Sequence, residues 1–131
     1  MLLFDIVKKG AAMKTILAVD DSPANLTIVR ELLKDMYKVN VVTSGEQALK
    51  FLEKKKPDLV LLDVCMPEMD GIETLERMHG MPDHSWKVVF LTALTDSSVS
   101  DHARRLNVDG FITKPFSPDE LIVPIVRLIG E

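Results

Sequence analysis

Five short apolar runs, rich in β-branched residues, alternate along the chain with longer segments whose apolar residues recur at helical spacing. The runs fall at 15–19, 39–42, 59–62, 88–91 and 110–113. The third run is apolar at every position, as expected of a strand that is covered on both faces of a parallel sheet. The pattern predicts five consecutive βα units, and hence a doubly wound α/β domain with a five-stranded parallel sheet.

The segments between these runs carry signals for the start of a helix. Ser22-Pro23 and Ser117-Pro118 combine a side chain that accepts backbone N–H groups with a proline at the first helical position. Ser44 and Gln47 have the spacing of a capping box. Pro124 lies inside the last predicted helix and is expected to kink or split it. The predicted helices cover about 23–35, 44–54, 72–78, 96–106 and 118–129.

Composition narrows the class of protein. The 131 residues suffice for one domain, to which we assign residues 14–131, with residues 1–13 as an N-terminal extension and Met13 as an alternative start. Twenty acidic and sixteen basic residues give a net charge of −4, which disfavours direct binding to nucleic acid. No apolar run approaches the length of a membrane span. The single cysteine rules out an internal disulfide and favours a reducing, cytoplasmic location.

Charged and hydroxyl side chains stand where four of the five predicted strands end. Asp20 and Asp21 follow the first strand, Asp63 the third, Thr92 the fourth and Lys114 the fifth. The carboxyl ends of parallel strands meet at one edge of a sheet, so these side chains should converge there. Two carboxylates 4 Å apart repel by about 4 kcal/mol at an effective dielectric constant of 20, and Mg²⁺ relieves such repulsion. The set predicts a magnesium site that handles a phosphoryl group, with Asp63 as nucleophile.

Four motifs, each at the end of a predicted strand, resemble the receiver domain of two-component response regulators. The resemblance covers about residues 14–129 and implies a flavodoxin-like sheet with strand order 2-1-3-4-5. It also implies a phosphoacceptor signalling domain rather than an enzyme, one that assists its own phosphorylation and dephosphorylation. The motifs are Val19-Asp20-Asp21-Ser22, Leu61-Leu62-Asp63-Val64-Cys65-Met66-Pro67-Glu68-Met69-Asp70-Gly71, Leu91-Thr92-Ala93 and Phe111-Ile112-Thr113-Lys114-Pro115-Phe116.

The resemblance implies which residues hold the phosphoryl group and the metal. Asp63 is expected to accept the phosphoryl group from a histidine kinase or a phosphotransfer protein. Asp21, Asp63 and the backbone carbonyl of Cys65 are expected to bind Mg²⁺ directly, and Asp20 to act mainly through water. Lys114 is expected to pair with the phosphoryl group.

The resemblance also implies a switch and a partner surface. Thr92 is expected to hydrogen-bond the phosphoryl group and move toward it, while Phe111 turns inward. The Lys114-Pro115 bond is expected to be cis. The face made by the fourth helix, the fifth strand and the last helix is the expected surface for an output domain or a second copy. That last helix is apolar nearly all round, which predicts extensive burial.

Two residues near the site depart from the family pattern. Cys65 and Leu94 stand two positions after Asp63 and Thr92, and neither side chain readily positions a water, so we expect slow self-dephosphorylation.

One alternative function is a phosphorylation-independent pseudo-receiver, which the intact acids and Lys114 disfavour. The other is a Mg²⁺-dependent phosphatase with an aspartate nucleophile, which would need an acid where Cys65 stands and a substrate cap. No glycine-rich turn follows the first strand, which disfavours a dinucleotide-binding domain.

Overall fold

The five predicted strands form a parallel sheet in the computed structural model, which describes residues 13–93 and 105–131. The strands are β1 (Thr15–Val19), β2 (Lys38–Val42), β3 (Leu59–Asp63), β4 (Lys87–Ala93) and β5 (Gly110–Lys114). Their order is β2-β1-β3-β4-β5, which confirms the order that the resemblance implied. The pairing aligns Val19 of β1 with Leu62 of β3, and Asp63 of β3 with Leu91 of β4.

The described residues form four helices that pack on this sheet. They are α1 (Pro23–Leu33), α2 (Gly45–Lys54), α3 (Gly71–His79) and α4 (Pro118–Ile129). The first ends two residues before the predicted boundary, and α3 begins one residue earlier than predicted. The helix predicted at 96–106 falls largely on 94–104, outside the described residues, so α4 corresponds to the last predicted helix. Within the described ranges, no helix combines the length and the apolar character needed to cross a membrane.

Alternate residues of β3 enter two apolar layers on opposite faces of the sheet. Leu59 and Leu61 pack with α1 and α4, whereas Val60 and Leu62 pack with α2 and α3. All four side chains have 0% exposure, and each such burial stabilises the fold by roughly 1.5–3 kcal/mol. The uninterrupted apolar run therefore anchors the central strand from both sides, and with it the residue at its carboxyl end.

Each described helix begins at a side chain that caps its backbone. The capping residues are Ser22, Ser44, Asp70 and Ser117, each of which accepts a hydrogen bond from the N–H three positions on. The capping box predicted for Ser44 and Gln47 forms only in part. Gln47 Oε1 accepts from the N–H and the hydroxyl of Thr43, at 2.8 and 3.1 Å, rather than from the N–H of Ser44. Thr43 offers two donors to the Gln47 side-chain oxygen, whereas the backbone of Ser44 offers one.

Pro124 does not split α4, which runs unbroken from Pro118 to Ile129. A proline removes one backbone hydrogen bond, but Leu121 and Ile125 on either side of it are fully buried against the sheet and hold both halves in place. Of the two predicted outcomes, a kink or a split, the split was therefore wrong. The expected extensive burial was also too strong, because Val123 is 42% exposed.

Two side chains tie the end of α4 to the edge of the sheet where the strands begin. The Tyr37 hydroxyl donates to the Gly130 carbonyl at 2.5 Å, and the Lys14 ammonium donates to the Ile129 carbonyl. Tyr37 is buried. Burial, with a smaller contribution from the negative charge of Glu131, raises the pKa of Tyr37 above its ordinary value of 10.0.

Candidate functional site

The sheet brings the predicted site residues to its carboxyl edge. Asp20 follows the last residue of β1, Asp63 ends β3 and Lys114 ends β5. Since all strands are parallel, these ends face the same side of the molecule. The Lys114 side chain reaches from the outer strand past β4 to the aspartates of the two central strands. The strand ends therefore converge as the sequence predicted.

Asp20, Asp21 and Asp63 form an acidic cluster. One carboxylate oxygen from each residue lies within 4.8 Å of the other two. Asp20 and Asp63 are 2% and 5% exposed, whereas Asp21 is exposed at the rim. Hard carboxylate oxygens combined with water suit Mg²⁺, and the exposure of Asp21 leaves one side of the cluster open to water. The donor set therefore fits this ion.

The ammonium group of Lys114 joins two of these carboxylates. Its Nζ donates to Asp63 Oδ1 at 3.0 Å and to Asp20 Oδ2 at 3.1 Å. Burial by itself would lower the pKa of Lys114, but the hydrogen bonds and the negative charges of Asp63 and Asp20 outweigh burial and raise it above 10.5. Lys114 is therefore a permanent cation within the acidic cluster.

Asp63 is the carboxyl group whose ionisation the site perturbs. Burial raises the pKa of Asp63, and the negative charges of Asp20 and Asp21 add to the rise. The hydrogen bond and charge of Lys114 oppose this rise without cancelling it. Such a carboxyl group, with specific charged partners at the edge of a sheet, is a typical functional candidate. Any further positive charge in the cluster favours its ionised, nucleophilic form.

Asp20 is held by donors on both of its oxygens. Oδ1 accepts from the backbone N–H of Ser22 at 2.9 Å, and Oδ2 accepts from Asn25 Nδ2 at 3.2 Å as well as from Lys114. Asn25 is not among the site residues that the sequence predicts. The signal that could have found it is an amide side chain in the first turn of the helix that directly follows the acidic strand end.

Gly71 brings the start of α3 against the backbone of the Asp63 segment. Its N–H donates to the Val64 carbonyl at 2.8 Å. A Cβ at this position would lie 2.4 Å from the Asp63 carbonyl oxygen and 2.8 Å from Val64 Cα, which is too close for any carbon atom. In the sequence Gly71 stands only at the end of a motif, which gives no sign of this contact.

Thr92 lies on β4, next to the strand that Asp63 ends. It is one residue beyond Leu91, the residue that pairs with Asp63, and it is 4% exposed. Its hydroxyl donates to the carbonyl of Ala93 at 3.4 Å, which is long for a hydroxyl donor. Among residues 13–93 and 105–131, this hydroxyl makes no shorter hydrogen bond.

The other predicted site residues surround this centre. Phe111 is half-buried and packs on Phe90, with ring centroids 6.2 Å apart. Cys65 is exposed, two residues beyond Asp63. The Lys114-Pro115 bond is cis, as expected. Leu94 lies outside the described residues.

Comparison with known proteins places the chain among proteins of signal transduction. The model of the response regulator receiver domain matches residues 16–125. The alkaline phosphatase synthesis transcriptional regulatory protein PhoP of Bacillus subtilis is 37% identical over 109 residues, covering 82% of this chain and 45% of PhoP. The signal transduction histidine-protein kinase BarA of Escherichia coli is 31% identical over 121 residues, covering 91% of this chain and 13% of BarA. The chain thus spans less than half the length of either relative.

Solved structures agree with the sequence comparison. The chemotaxis protein CheY4 of Vibrio cholerae matches with a TM-score of 0.83 at 29% identity, covering 89% of this chain and 99% of that one. The range that matches the family model includes the acidic cluster, Thr92 and Lys114. With the strand order 2-1-3-4-5 and the acidic cluster at the carboxyl edge of the sheet, these matches show that the chain belongs to the family of response regulator receiver domains.

Proposed function

We propose that this domain accepts a phosphoryl group on Asp63 and thereby switches the binding of a partner. The observation that carries the proposal is the contact of Lys114 Nζ with both Asp63, at 3.0 Å, and Asp20, at 3.1 Å, inside a buried acidic cluster. A cation shared by two carboxylates can pair with phosphoryl oxygens that arrive beside Asp63. Positioning and charge neutralisation are the main requirements of phosphoryl transfer.

In the transfer step, a carboxylate oxygen of Asp63 attacks the phosphorus atom of a phosphohistidine. The new O–P bond forms while the P–N bond to the imidazole breaks, and the electron pair of that bond stays on the ring nitrogen. Asp21, Asp63 and the backbone carbonyl of Cys65 would hold Mg²⁺, which when bound neutralises charge on the phosphoryl oxygens. Asp20 would act mainly through water, which its existing hydrogen bonds to Ser22 and Lys114 support.

Phosphorylation would then rearrange the residues around Asp63. Lys114 would exchange the carboxylate for the phosphoryl oxygens, and the Thr92 hydroxyl would turn to donate to them. The 3.4 Å contact of this hydroxyl with Ala93 offers little resistance to the turn. Phe111, half-buried at the edge, would turn inward toward the space that Thr92 leaves. The two arrangements form a two-state equilibrium that phosphorylation biases.

The partners follow from the proteins to which the chain is similar. BarA is named a histidine-protein kinase and PhoP a transcriptional regulatory protein. We infer that a histidine kinase or a phosphotransfer protein donates the phosphoryl group. An output domain or a second copy would bind the face of β5, α4 and the helix predicted at 96–106. Residues 14–131 would form this domain, with no direct contact to nucleic acid or membrane, in the cytoplasm.

The phosphorylated state should be long-lived. The side chains two positions after Asp63 and Thr92 are Cys65 and Leu94, and neither offers a carboxylate or an amide to position an attacking water. The domain would assist its own phosphorylation through Lys114 and the metal, but would lose the phosphoryl group slowly. In this role it is a signalling switch rather than a turnover enzyme.

Intact-mass analysis after incubation with acetyl phosphate and Mg²⁺ tests the proposal. We expect a single phosphoryl adduct, which is lost in Asp63→Asn and without metal. The matched control is Asp119→Asn, an exposed aspartate in the first turn of α4, which should keep the adduct. Absence of an adduct under every condition would favour a pseudo-receiver. Steady release of phosphate from aryl phosphate esters would favour a phosphatase.

A further inference from the structure

Asn25 lies beside the acidic cluster but has no part in the function proposed above. Its Nδ2 donates to Asp20 Oδ2 at 3.2 Å. The same oxygen accepts from Lys114 Nζ at 3.1 Å, and Oδ1 accepts from the Ser22 N–H at 2.9 Å. Asp20 is only 2% exposed, so these donors, rather than bulk water, set the orientation of its carboxylate.

The three donors reach Asp20 from different parts of the fold. Ser22 belongs to the turn after β1, Lys114 to the end of β5 and Asn25 to the first turn of α1. Lys114 also contacts Asp63, so it is the donor that leaves when a phosphoryl group arrives there. Asn25 then remains as the side-chain donor to Asp20 Oδ2.

Asn25 lies in the first turn of α1, where its N–H donates to the hydroxyl of the capping residue Ser22 at a long 3.4 Å. Asn25, Lys114 and Phe116 line a cavity of about 330 Å³ that extends to Asp20. A smaller side chain at position 25 would open this cavity toward Asp20 and admit water as a competing donor.

We propose that Asn25 is a positioning residue for the magnesium site, which it acts on by holding the Asp20 carboxylate in one orientation. The inference rests on the proposed function, since it concerns the same site. Without Asn25 the carboxylate keeps only Ser22 and Lys114 as donors, so its orientation is less tightly fixed for any water that it would hold beside the ion. Mutation of a residue that orients a metal ligand commonly lowers metal affinity by about 10–100-fold. Because Asp20 is expected to act on the ion mainly through water, we expect the loss of Asn25 to lower the affinity by about tenfold, the low end of this range.

Two substitutions separate the hydrogen bond from packing. Asn25→Leu removes the donor but keeps a side chain with the same branching and number of heavy atoms, while Asn25→Ala removes both. Leucine and alanine each favour a helix more than asparagine does. The control is Thr27→Ala on the same helix, an exposed residue whose hydroxyl donates to the Pro23 carbonyl at 3.0 Å. Urea unfolding confirms that each variant is folded.

The direct readout is the dissociation constant of Mg²⁺ for the unphosphorylated full chain, measured by competition with Mn²⁺ in electron paramagnetic resonance. We expect this constant to rise about tenfold in both Asn25 variants and to stay unchanged in Thr27→Ala. With acetyl phosphate, the Mg²⁺ concentration for half-maximal rate should rise by the same factor. The maximal rate at saturating Mg²⁺ should stay within about twofold of wild type, as expected when a positioning contact rather than a reacting group is lost.

The outcomes distinguish this inference from the proposed function. An unchanged dissociation constant in Asn25→Leu would overturn the inference, as would a lower maximal rate without any change in that constant. If wild-type protein bound no Mg²⁺, or if Asp21→Asn bound it as tightly as wild type, the proposed function itself would fail and the inference with it.

Discussion

Replacing Gly71 by alanine should slow phosphorylation about 10²-fold in a protein that stays folded. The added Cβ would lie 2.4 Å from the Asp63 carbonyl oxygen, 2.8 Å from Val64 Cα and 3.1 Å from the Asp63 carbonyl carbon. All three are backbone atoms, so no flexible side chain can give way. Either α3 or the end of β3 must move.

The size of this movement sets the expected effect. Ordinary contact begins near 3.4 Å, so the carbonyl oxygen of Asp63 and the new methyl group must separate by about 1 Å, and overpacking of this kind costs about 1–3 kcal/mol. A domain with a stability of about 5–15 kcal/mol tolerates that loss and stays folded. The Asp63 carboxylate moves with its backbone, and a misplacement of about 1 Å can lower a rate about 10²-fold.

Initial rates of adduct formation with acetyl phosphate and Mg²⁺, measured beside urea unfolding, test this prediction. Gly80→Ala is the matched control, because a Cβ there meets only the Arg77 carbonyl oxygen, at 3.5 Å. We expect a rate about 10²-fold below wild type for Gly71→Ala and a wild-type rate for Gly80→Ala. A folded Gly71→Ala protein that is phosphorylated at the wild-type rate would refute the argument that this glycine positions Asp63.

Other perturbations test separate parts of the molecule. The pKa of Tyr37, the single tyrosine of the chain, is raised by burial and then by Glu131, so the folded state binds the phenolic proton more tightly than the unfolded state. This stabilisation is complete below the ordinary pKa of 10.0 and is lost as the pH rises through the folded-state value. Urea unfolding should therefore show stability falling at alkaline pH in wild type and a flatter profile in Tyr37→Phe, and identical profiles would contradict it. Mg²⁺ at ten times its dissociation constant should raise the free energy of unfolding by about 1.4 kcal/mol; thermal melts should show most of this gain lost in Asp21→Asn, and equal gains would count against the metal site. After removal of acetyl phosphate the adduct should persist for minutes or longer, because neither Cys65 nor Leu94 positions a water, and decay within seconds in time-resolved mass spectra would contradict that.

The acidic cluster could be predicted from the sequence because it depends only on the sheet. Apolar runs of four or five residues mark where each strand ends, and parallel strands bring those ends to one edge. Asp20, Asp63 and Lys114 each stand at such an end, so their convergence needs no knowledge of side-chain packing.

Asn25 and Gly71 could not be found in the same way. Each acts through a tertiary contact, Asn25 with the carboxylate of Asp20 and Gly71 with the backbone around Asp63. The position of Asn25, in the first turn of the helix after an acidic strand end, makes it a candidate but does not show that it touches the site. The local pattern around Gly71 does not distinguish it from an ordinary turn glycine. Only the packing of α1 and α3 on the sheet reveals them.

At Pro124, tertiary packing outweighs the tendency of a proline to interrupt a helix. The loss of one backbone hydrogen bond predicts a kinked or split helix, but the fully buried Leu121 and Ile125 keep α4 continuous. The partial capping box at Ser44 has a similar origin, since Gln47 binds two donors of Thr43 instead. Both deviations arise where a competing contact is stronger than the local preference.

Chemical trapping of the phosphorylated residue tests the role of Asp63 most directly. Borohydride reduces an acyl phosphate on aspartate to homoserine, and peptide mass spectrometry then locates the changed position. After incubation with acetyl phosphate and Mg²⁺, we predict conversion of Asp63 alone, with no conversion in the metal-free control. Conversion of Asp20 or Asp21, or an adduct that leaves Asp63 unchanged, would contradict its assignment as the phosphoacceptor.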